Sequence, residues 1–463
     1  RALSSAASDV YKRQAFLLIR SVTERTRLRR RYITVRRKEE SMSERNFGQE
    51  LLHTPGGVRD IYGAECASRL KIQQELHQVM ISYGFRDIQT PTFEYFDIFS
   101  KEKGSVQSQA MFKFFDRGNN TLVLRPDITP AIARCVSKYD REEEMPIRLC
   151  YMGNTFINNS SYQGRLKEST QLGAELIGVD SIEADAEMLA MVVDGLKKTG
   201  LKEFQVSIGH VDFIQSLFLA AGLEEDEAEE LRTLIANRNF FGVEEVLDHM
   251  DVADSVKEAF HLLPELTGGA EILDQALSVA PEEKASQAIH RLKQIDELLH
   301  LYGVEDHITF DLSMSGNYGY YTGIIFRAYT YGTGDAVVRG GRYDHLLEKF
   351  GKNTPSIGFA IILDELMNAL NRQNIQIETG SRNLLVYTQD TEKWAISLAR
   401  TFRSKGKNIE MLKRNTEDDR QVYEEYGKRS SVMTMLYLRD DLKIEMINFR
   451  TGEKKIMDTK KQK

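Results

Sequence analysis

The chain has 463 residues, of which 41% are hydrophobic and 28% are charged, and its formal net charge is −7. At about 100–200 residues per domain, this length predicts two to four domains, and the composition excludes disordered, collagen-like and disulfide-stapled proteins. The apolar runs are much shorter than the ~20 residues that a membrane-spanning helix needs. Three cysteines without CxxC spacing, Cys66, Cys135 and Cys150, predict a reducing, cytoplasmic compartment and no metal site.

The first 41 residues differ in charge from the rest of the chain. They hold twelve Lys or Arg and four Asp or Glu, a net +8, which leaves −15 for the remainder. The segment Asp9–Gln14 resembles a translated sequencing adapter, and Met42 stands where an initiator would. We therefore expect residues 1–41 to be a disordered, non-native leader, with a genuine basic arm as the alternative.

The first part of the body alternates between helical and strand-like patterns. Apolar residues at helical spacing predict a helix over Ser68–Tyr83 that Gly84 ends. The pattern then predicts a hairpin from Met111–Phe115 and Thr121–Leu124. The other elements predicted here are strands over 85–91, 147–156, 170–178 and 203–208 and helices over 127–139 and 181–198.

The amino-acid composition and the spacing of apolar residues change at about residue 211. Glu, Leu and Ala dominate to about 302, which predicts a helical insertion. Strands are then predicted at 308–312, 323–330 and 336–339, with helices from Tyr343 and over Ala360–Asn371. After a polar linker, 383–463 follows the order β-α-β-α-β-β and ends in a basic tail, so it is expected to form a separate small α/β domain.

Helices between hairpin-like strands favour an α+β fold with an antiparallel sheet. The glycine pairs, Gly332-Thr333-Gly334 and Gly340-Gly341, have neither the dinucleotide-binding nor the P-loop spacing. The nine histidines are scattered and form no group with Asp or Ser that indicates nucleophilic catalysis. The residues alone therefore predict no catalytic residue and no cofactor.

At several points the body, 42–372, resembles the catalytic core of histidyl-tRNA synthetase, a class II aminoacyl-tRNA synthetase. The resemblance implies an antiparallel sheet flanked by helices, a dimer formed through Gly84–Glu94, and an anticodon-binding-like domain at 383–463. The match to that last domain is loose. The segments that carry the resemblance are Pro55–Asp60, Gly84–Glu94, Leu124–Pro130, Gln163–Glu175, Tyr320–Gly323, Gly340–Asp344 and Ser356–Ala360.

The same resemblance implies a pocket for L-histidine. Asp127, Thr129 and Gln171 are candidates to accept the ammonium hydrogens. Glu175 lies four residues after Gln171 and therefore on the same strand face, from which it could accept an imidazole N–H. Three tyrosines would complete the pocket: Tyr320, Tyr321 and Tyr343. The arginine expected to bind the carboxylate is missing, which leaves Arg165, Arg342 or backbone N–H groups for that role.

Three positions expected to hold ATP-binding arginines lack them. Ile157 and Asn159 replace an arginine and an acid after Phe156, Glu365 replaces the arginine of the third motif, and 314–319 contains no base. Each lost cation would remove stabilisation of the charge that develops as pyrophosphate leaves. These substitutions predict a degenerate active site that does not activate an amino acid.

A retained histidine pocket without activation machinery is similar to the family of ATP phosphoribosyltransferase regulatory subunits. That resemblance implies a non-catalytic protein that assembles with the short-form catalytic subunit, as a hetero-octamer, in the first step of histidine biosynthesis. It also implies that histidine binding gives feedback control. The acidic body does not favour tRNA, although an active histidine–tRNA ligase and a synthetase-like sensor of tRNA or of another amino acid stay as alternatives.

Overall fold

A computed structural model describes residues 52–100, 106–139, 145–159, 166–223, 225–250, 252–314, 320–415 and 419–458. The proposed leader, Arg165 and most of 314–319 lie outside these ranges. The described residues form two compact units. In the smaller unit, 52–60 and 166–167 are described, and its backbone turns so that the Val58 N–H donates to Pro55 and the Lys167 N–H to Gly57. All other described residues belong to the larger unit.

The larger unit is built around a nine-stranded sheet, as the α+β prediction requires. Its strands are paired antiparallel except at two places, β1 with β5 and β7 with β9. The order across the sheet is β1-β5-β6-β12-β11-β10-β7-β9-β8. Its strands are β1 (Arg86–Asp87), β5 (Ile147–Phe156), β6 (Glu168–Ile177), β7 (Phe204–His210), β8 (Thr267–Gly268), β9 (Ile308–Asp311), β10 (Ile324–Thr330), β11 (Val338–Arg342) and β12 (Ser356–Ile362).

Long helices cover one face of this sheet. In chain order they are α1 (Gly63–Ser82), α4 (Ile182–Lys198), α10 (Glu283–Tyr302) and α11 (Leu363–Arg372). Helix α1 ends before Gly84, which has a φ of 82°, and α4 begins after Ser181, whose hydroxyl accepts the Ala184 N–H at 3.2 Å. Since side chains alternate along a strand, Leu172, Ala174 and Leu176 of β6 face these helices and enter the main core.

A buried ion network fastens the covering helices to the sheet. Asp185 of α4 is fully buried, and its carboxylate accepts hydrogen bonds from Arg342 at the end of β11, at 2.5 and 3.1 Å, and from Arg291 of α10 at 2.8 Å. A buried carboxylate between two guanidiniums is satisfied only while both partners stay in place. This network therefore fixes the position of α10 against the sheet.

The predicted insertion is helical, as its composition indicates. It contains α5 (Val211–Ala220), α6 (Glu225–Ala236), α7 (Phe240–Asp248), α8 (Asp254–Leu262), α9 (Glu271–Ser278) and α10, with the short strand β8 between α8 and α9. Its apolar residues join the main core. No described helix is long and apolar enough to cross a bilayer.

A small three-stranded antiparallel sheet is formed by the segment between β1 and β5, and its strand order is β2-β4-β3. It consists of β2 (Phe93–Tyr95), β3 (Lys113–Phe115) and β4 (Thr121–Leu124), so the predicted hairpin of β3 and β4 is confirmed. Helix α2 (Asp97–Ser100) lies between β2 and β3 in sequence, and α3 (Thr129–Tyr139) follows β4. Strand β4 leads through Arg125–Ile128 into α3, and this connection carries part of the candidate site.

The C-terminal residues form a separate five-stranded sheet in the order β14-β13-β15-β16-β17. Two helices pack on its opposite faces, since Ala395 and Ala399 of one and Tyr423 of the other belong to different apolar clusters. Its elements are β13 (Arg382–Tyr387), α12 (Glu392–Ser404), β14 (Asn408–Lys413), α13 (Arg420–Arg429), β15 (Thr434–Leu438), β16 (Lys443–Asn448) and β17 (Lys454–Asp458). The division of the chain into domains stays a prediction.

Several predicted elements were wrong in kind or extent. Residues from Tyr343 do not form a helix but lead to one turn of 3-10 helix at Leu347–Phe350. The predicted helix from Ala360 begins instead at Leu363, because Ala360 and Ile361 still pair with β6 and β11. The predicted basic tail contains β17, and the predicted strand over 85–91 is shortened to β1.

Candidate functional site

The candidate site lies on the sheet face opposite the covering helices. Gln171, Gly173 and Glu175 of β6 alternate with the core-facing residues and therefore share this face. Their cross-strand partners on β12 are Ile362, Ala360 and Gly358. Ala360 in turn pairs with Arg339 of β11, and Gly358 with Gly341.

Small residues at the centre of this face make a cavity of about 40 Å³. A Cβ atom at Gly173 would lie 2.5 Å from Cζ of Tyr151, and one at Gly358 would lie 2.5 Å from Cδ of Glu175. Side chains at these positions are therefore incompatible with the observed arrangement of Tyr151 and Glu175. The lining consists of Asp127, Thr129, Gln171, Glu175, Tyr320, Tyr321, Arg339, Tyr343, Gly358, Phe359, Ala360 and Ile362.

Seven of the candidate residues line this one cavity: Asp127, Thr129, Gln171, Glu175, Tyr320, Tyr321 and Tyr343. Of the two arginine candidates, Arg165 lies outside the described residues and Arg342 is not in the lining. The seven come from distant parts of the chain: the start of α3, strand β6, the segment before β10 and the segment after β11. Folding thus brings together the positions singled out in the sequence. That they bind histidine stays a prediction.

Glu175 is the most deeply buried polar group of the cavity, at 1% exposed. Its Oε1 accepts a hydrogen bond from the Thr129 hydroxyl at 2.8 Å and its Oε2 one from the Tyr343 hydroxyl at 2.5 Å. Burial raises the pKa of Glu175 to about 8, although both hydroxyl donors favour the charged form. The carboxyl group is therefore fixed in position, and its proton can be exchanged near neutral pH.

The side of the cavity formed by Asp127 and Gln171 is rich in hydrogen-bond acceptors. Asp127 is 8% exposed, and its Oδ1 accepts the Ile128 N–H at 2.7 Å, while its Oδ2 accepts the Tyr320 hydroxyl at 3.3 Å. Burial raises the pKa of Asp127, since two backbone hydrogen bonds only partly compensate for it. The Gln171 Oε1 atom is buried and receives no hydrogen bond from the described part of the chain. Such an acceptor is suited to a ligand that brings N–H donors.

Three tyrosine rings form the wall. The ring centroids of Tyr320 and Tyr321 are 4.9 Å apart, and those of Tyr320 and Tyr343 are 6.0 Å apart with an interplanar angle of 81°. Burial, followed by the charge of Glu175, raises the pKa of Tyr343 well above its usual value. Tyr343 therefore stays a neutral hydroxyl that donates to Glu175.

The cationic residue of the cavity is one that the sequence analysis missed. Arg339 lines the cavity, and its Nη2 forms an ion pair with Asp335 at 2.5 Å. The sequence does contain a signal for Arg339. The arginine lies two positions before Gly341 in the same strand, so the two residues share a strand face.

Arg342 was a wrong candidate for the carboxylate. It follows Gly341 directly and so faces the opposite side of the sheet, where it is 2% exposed and bonded to Asp185. Its Nη1 donates to the Val179 carbonyl at 3.0 Å. These buried contacts give it a structural role in place of a ligand-binding one.

The positions expected to bind ATP do not line the cavity. Ile157 and Asn159 directly follow β5, with the Asn159 N–H donating to the Ile157 carbonyl at 2.9 Å. Glu365 lies in the first turn of α11, where burial, and then the charges of Asp335 and Asp364, raise its pKa. Both of these acids are paired with arginines, Asp364 with Arg69 at 2.7 Å and Asp335 with Arg339 at 2.5 Å.

One group of possible metal ligands occurs in the described part of the chain. His77, Asp87 and Cys150 offer atoms within 4.8 Å of one another. The carboxylate of Asp87 accepts from His77 at 2.7 Å, and burial followed by Asp87 raises the pKa of the Cys150 thiol to about 12. Because the carboxylate stands between imidazole and thiol, it stabilises the thiol form and disfavours a nucleophilic thiolate.

Comparison with known proteins adds to this geometry. The family model described as histidyl-tRNA synthetase matches residues 57–366. The ATP phosphoribosyltransferase regulatory subunit of Acetivibrio thermocellus is 36% identical over 403 residues, which cover 87% of this chain and 96% of that protein.

Solved structures agree with these sequence matches. A structure titled as an ATP phosphoribosyltransferase regulatory subunit/histidyl-tRNA synthetase, from Bacillus halodurans, is 29% identical with a TM-score of 0.73, over 83% of this chain and 97% of that one. Histidyl-tRNA synthetase from a Nostoc species has a TM-score of 0.75 over 88% of this chain and 96% of that one, and at 18% identity it shows the fold alone. The predicted class II synthetase fold is confirmed. The chain belongs to the histidyl-tRNA synthetase-like proteins and, within them, to the family of ATP phosphoribosyltransferase regulatory subunits.

Proposed function

We propose that this chain is the non-catalytic regulatory subunit of ATP phosphoribosyltransferase, the glycosyltransferase complex of the first step of L-histidine biosynthesis. In this role it supports the activity of a short-form catalytic subunit and senses histidine. The observation that carries the proposal is the cavity, in which acceptors and tyrosines converge while the expected ATP-binding positions hold Ile157, Asn159 and Glu365.

L-Histidine is the ligand that we propose for the cavity. Its ammonium group would donate to Asp127 and to the buried Gln171 oxygen, which has no donor among the described residues. Its imidazole would lie among the tyrosines and donate to Glu175, which Thr129 and Tyr343 hold in place. A ligand N–H meeting a buried, fixed acceptor gains the most when the acceptor has no competing water.

Loss of amino-acid activation follows from the substituted positions. Adenylate formation needs cations at the phosphates as negative charge develops. Ile157 carries no charge, and Glu365 adds an anion close to Asp364 and Asp335. In this proposal the chain binds histidine, and the catalytic subunit carries out the chemistry.

Feedback would then follow from linkage between two sites. If histidine binds more tightly to a low-activity state of the complex, it weakens the binding of substrates to the catalytic subunit. Bound substrates must then weaken the binding of histidine by the same factor. The partners proposed are the short-form catalytic subunit, in a hetero-octamer, and a second copy of this chain as a dimer. A cytoplasmic location and a lack of tRNA binding stay predictions.

The test is reconstitution with the catalytic subunit. Both chains are co-expressed, purified through a tag on one of them, and assayed for condensation of ATP with phosphoribosyl pyrophosphate, with and without L-histidine. We expect co-purification, activity that depends on this chain, and inhibition by histidine. In the variants, Gln171→Ala should reduce inhibition, while Glu168→Gln, on the same strand but outside the cavity, should leave it unchanged.

Two outcomes would contradict the proposal. The first is a purified chain that does not bind the catalytic subunit. The second is histidine-dependent exchange of pyrophosphate into ATP by the chain alone, which would identify an active histidine–tRNA ligase.

A further inference from the structure

Among the described residues that line the cavity, Arg339 is the only one with a cationic side chain. Two carboxyl groups also line it: Asp127 lies two residues before α3, and Glu175 lies on β6. Arg339 lies on β11. Strand β12 lies between β6 and β11. The cavity therefore has acidic groups on one side and a guanidinium on the other.

The strand register fixes how far apart these groups are. Glu175 pairs with Gly358 on β12, and two residues further along β12 Ala360 pairs with Arg339. Two strand spacings and two residues separate the Cα atoms of Glu175 and Arg339 by about 12 Å along the sheet. Both residues line the cavity, so one ligand that spans it could contact both.

Only small residues lie between them. The positions beside Arg339 and Glu175 on β12 are Ala360 and Gly358, and Gly173 follows on β6. A bulky side chain at Gly358 would displace Glu175. The glycines leave room for the side chains of Tyr151 and Glu175 above them, so Glu175 lines the cavity on one side of β12 and Arg339 lines it on the other.

Acidic neighbours orient Arg339. Asp335 pairs with it at 2.5 Å, and the side chains of Arg339 and Asp335 are 29% and 48% exposed. The Arg339 charge also lowers the pKa of Glu365, against the larger opposing effects of burial and of the Asp335 and Asp364 charges. A guanidinium presents its N–H donors in a fixed planar fork that matches the two oxygens of a carboxylate.

We infer that Arg339 binds the α-carboxylate of the ligand and so makes the cavity specific for a free amino acid over its amide, ester or alcohol forms. This inference rests on the proposed function and adds to it the group that selects the carboxylate. Ammonium acceptors at Asp127 and Gln171 and a carboxylate donor at Arg339 complement the two charges of a zwitterion. Arg339 thus takes the carboxylate-binding role that the sequence analysis considered for Arg342, which faces the other side of the sheet.

Calorimetry on the full chain in its complex with the catalytic subunit tests the inference, with L-histidine, L-histidine amide and L-histidinol as ligands. We expect the wild-type protein to bind histidine at least ~10-fold more tightly than histidinol, which has a hydroxymethyl group in place of the carboxylate. Arg339→Gln should weaken histidine binding by about 10- to 100-fold, the range of a lost charge-assisted hydrogen bond, and leave histidinol binding within about twofold. Arg339→Lys should restore part of the preference, because it keeps the charge without the fork.

Arg327→Gln is the matched control. Arg327 is the cross-strand partner of Arg339 on β10 but does not line the cavity, so its loss should leave both affinities unchanged. The thermal unfolding midpoint of each variant shows whether it is folded.

The outcomes separate this inference from the proposed function. Equal binding of histidine and histidinol by the wild-type protein, or equal weakening of both by Arg339→Gln, would overturn the role of Arg339 and leave the histidine pocket intact. Absence of histidine binding by the wild-type complex would overturn the pocket itself.

Discussion

Gly358→Ala tests the geometry of the cavity with one methyl group. The added Cβ would fall on Oε2 of Glu175 and lie 2.5 Å from its Cδ. The carboxylate must then move away from the hydroxyls of Thr129 and Tyr343, which donate to it at 2.8 and 2.5 Å. Where Glu175 is charged, each of these hydrogen bonds contributes about 1.5–3 kcal/mol, so losing both would reduce stability by about 3–6 kcal/mol; below its pKa of about 8 the loss is smaller. Removing a strand glycine returns only about 0.5–1 kcal/mol.

The assay is calorimetric titration of the reconstituted complex with L-histidine, together with thermal unfolding of the chain. We expect histidine affinity to fall at least ~100-fold, which corresponds to about 3 kcal/mol. Gly56→Ala is the matched control, because a Cβ there meets nothing within 4 Å.

A double-mutant cycle decides whether the displaced carboxylate is the cause. If it is, adding Gly358→Ala to Glu175→Ala should have little further effect, since the displaced group is already absent. Fully additive losses, or unchanged affinity in the single variant, would refute the reasoning.

Three further predictions concern stability and reactivity. Burial raises the pKa of Glu175 to about 8 in the folded state, so its contribution to stability is complete below the unfolded-state pKa and is lost as the pH rises from about 5 to 8. The thermal unfolding midpoint should therefore fall over this pH range, and Glu175→Gln should make the fall less steep. An unchanged slope in the variant would contradict this prediction. Asp185→Asn should reduce stability by about 3–5 kcal/mol, because two arginines lose a buried partner. Glu183→Gln, at an exposed position in the first turn of the same helix, should reduce it only slightly. Mass spectrometry after brief alkylation at pH 8 should find Cys66 modified before the buried Cys150, whose thiol has a raised pKa, and the reverse order would be incompatible with the packing described.

Elements with a strong local pattern could be predicted from the sequence. Helix α4 (Ile182–Lys198) begins one residue after its predicted start and ends where predicted, and β5 has the predicted bounds, 147–156. The short or exposed elements could not be predicted. Strand β17 is almost wholly exposed and rich in lysine, so no apolar alternation indicates it, and only its pairing with β16 makes it a strand.

The site shows the same division between local and tertiary information. The spacing of Gln171 and Glu175 places both on one strand face from the sequence alone. Alternation alone places Arg339 and Arg342 on opposite faces of a strand, but only the register of β11 against β12 and of β12 against β6 shows which face carries the cavity. The raised pKa of Glu175 depends on burial by distant segments, which no local pattern contains.

The most direct test of the central claim is the histidine dependence of ATP phosphoribosyltransferase activity in the reconstituted complex, compared between the wild-type chain and Glu175→Ala. We expect both chains to assemble with the catalytic subunit and to support equal activity without histidine. The variant should need at least ~10-fold more histidine for half-maximal inhibition, since it lacks the buried acceptor for the imidazole. Identical inhibition curves, in a complex whose assembly and basal activity are unchanged, would contradict the claim that this cavity senses histidine.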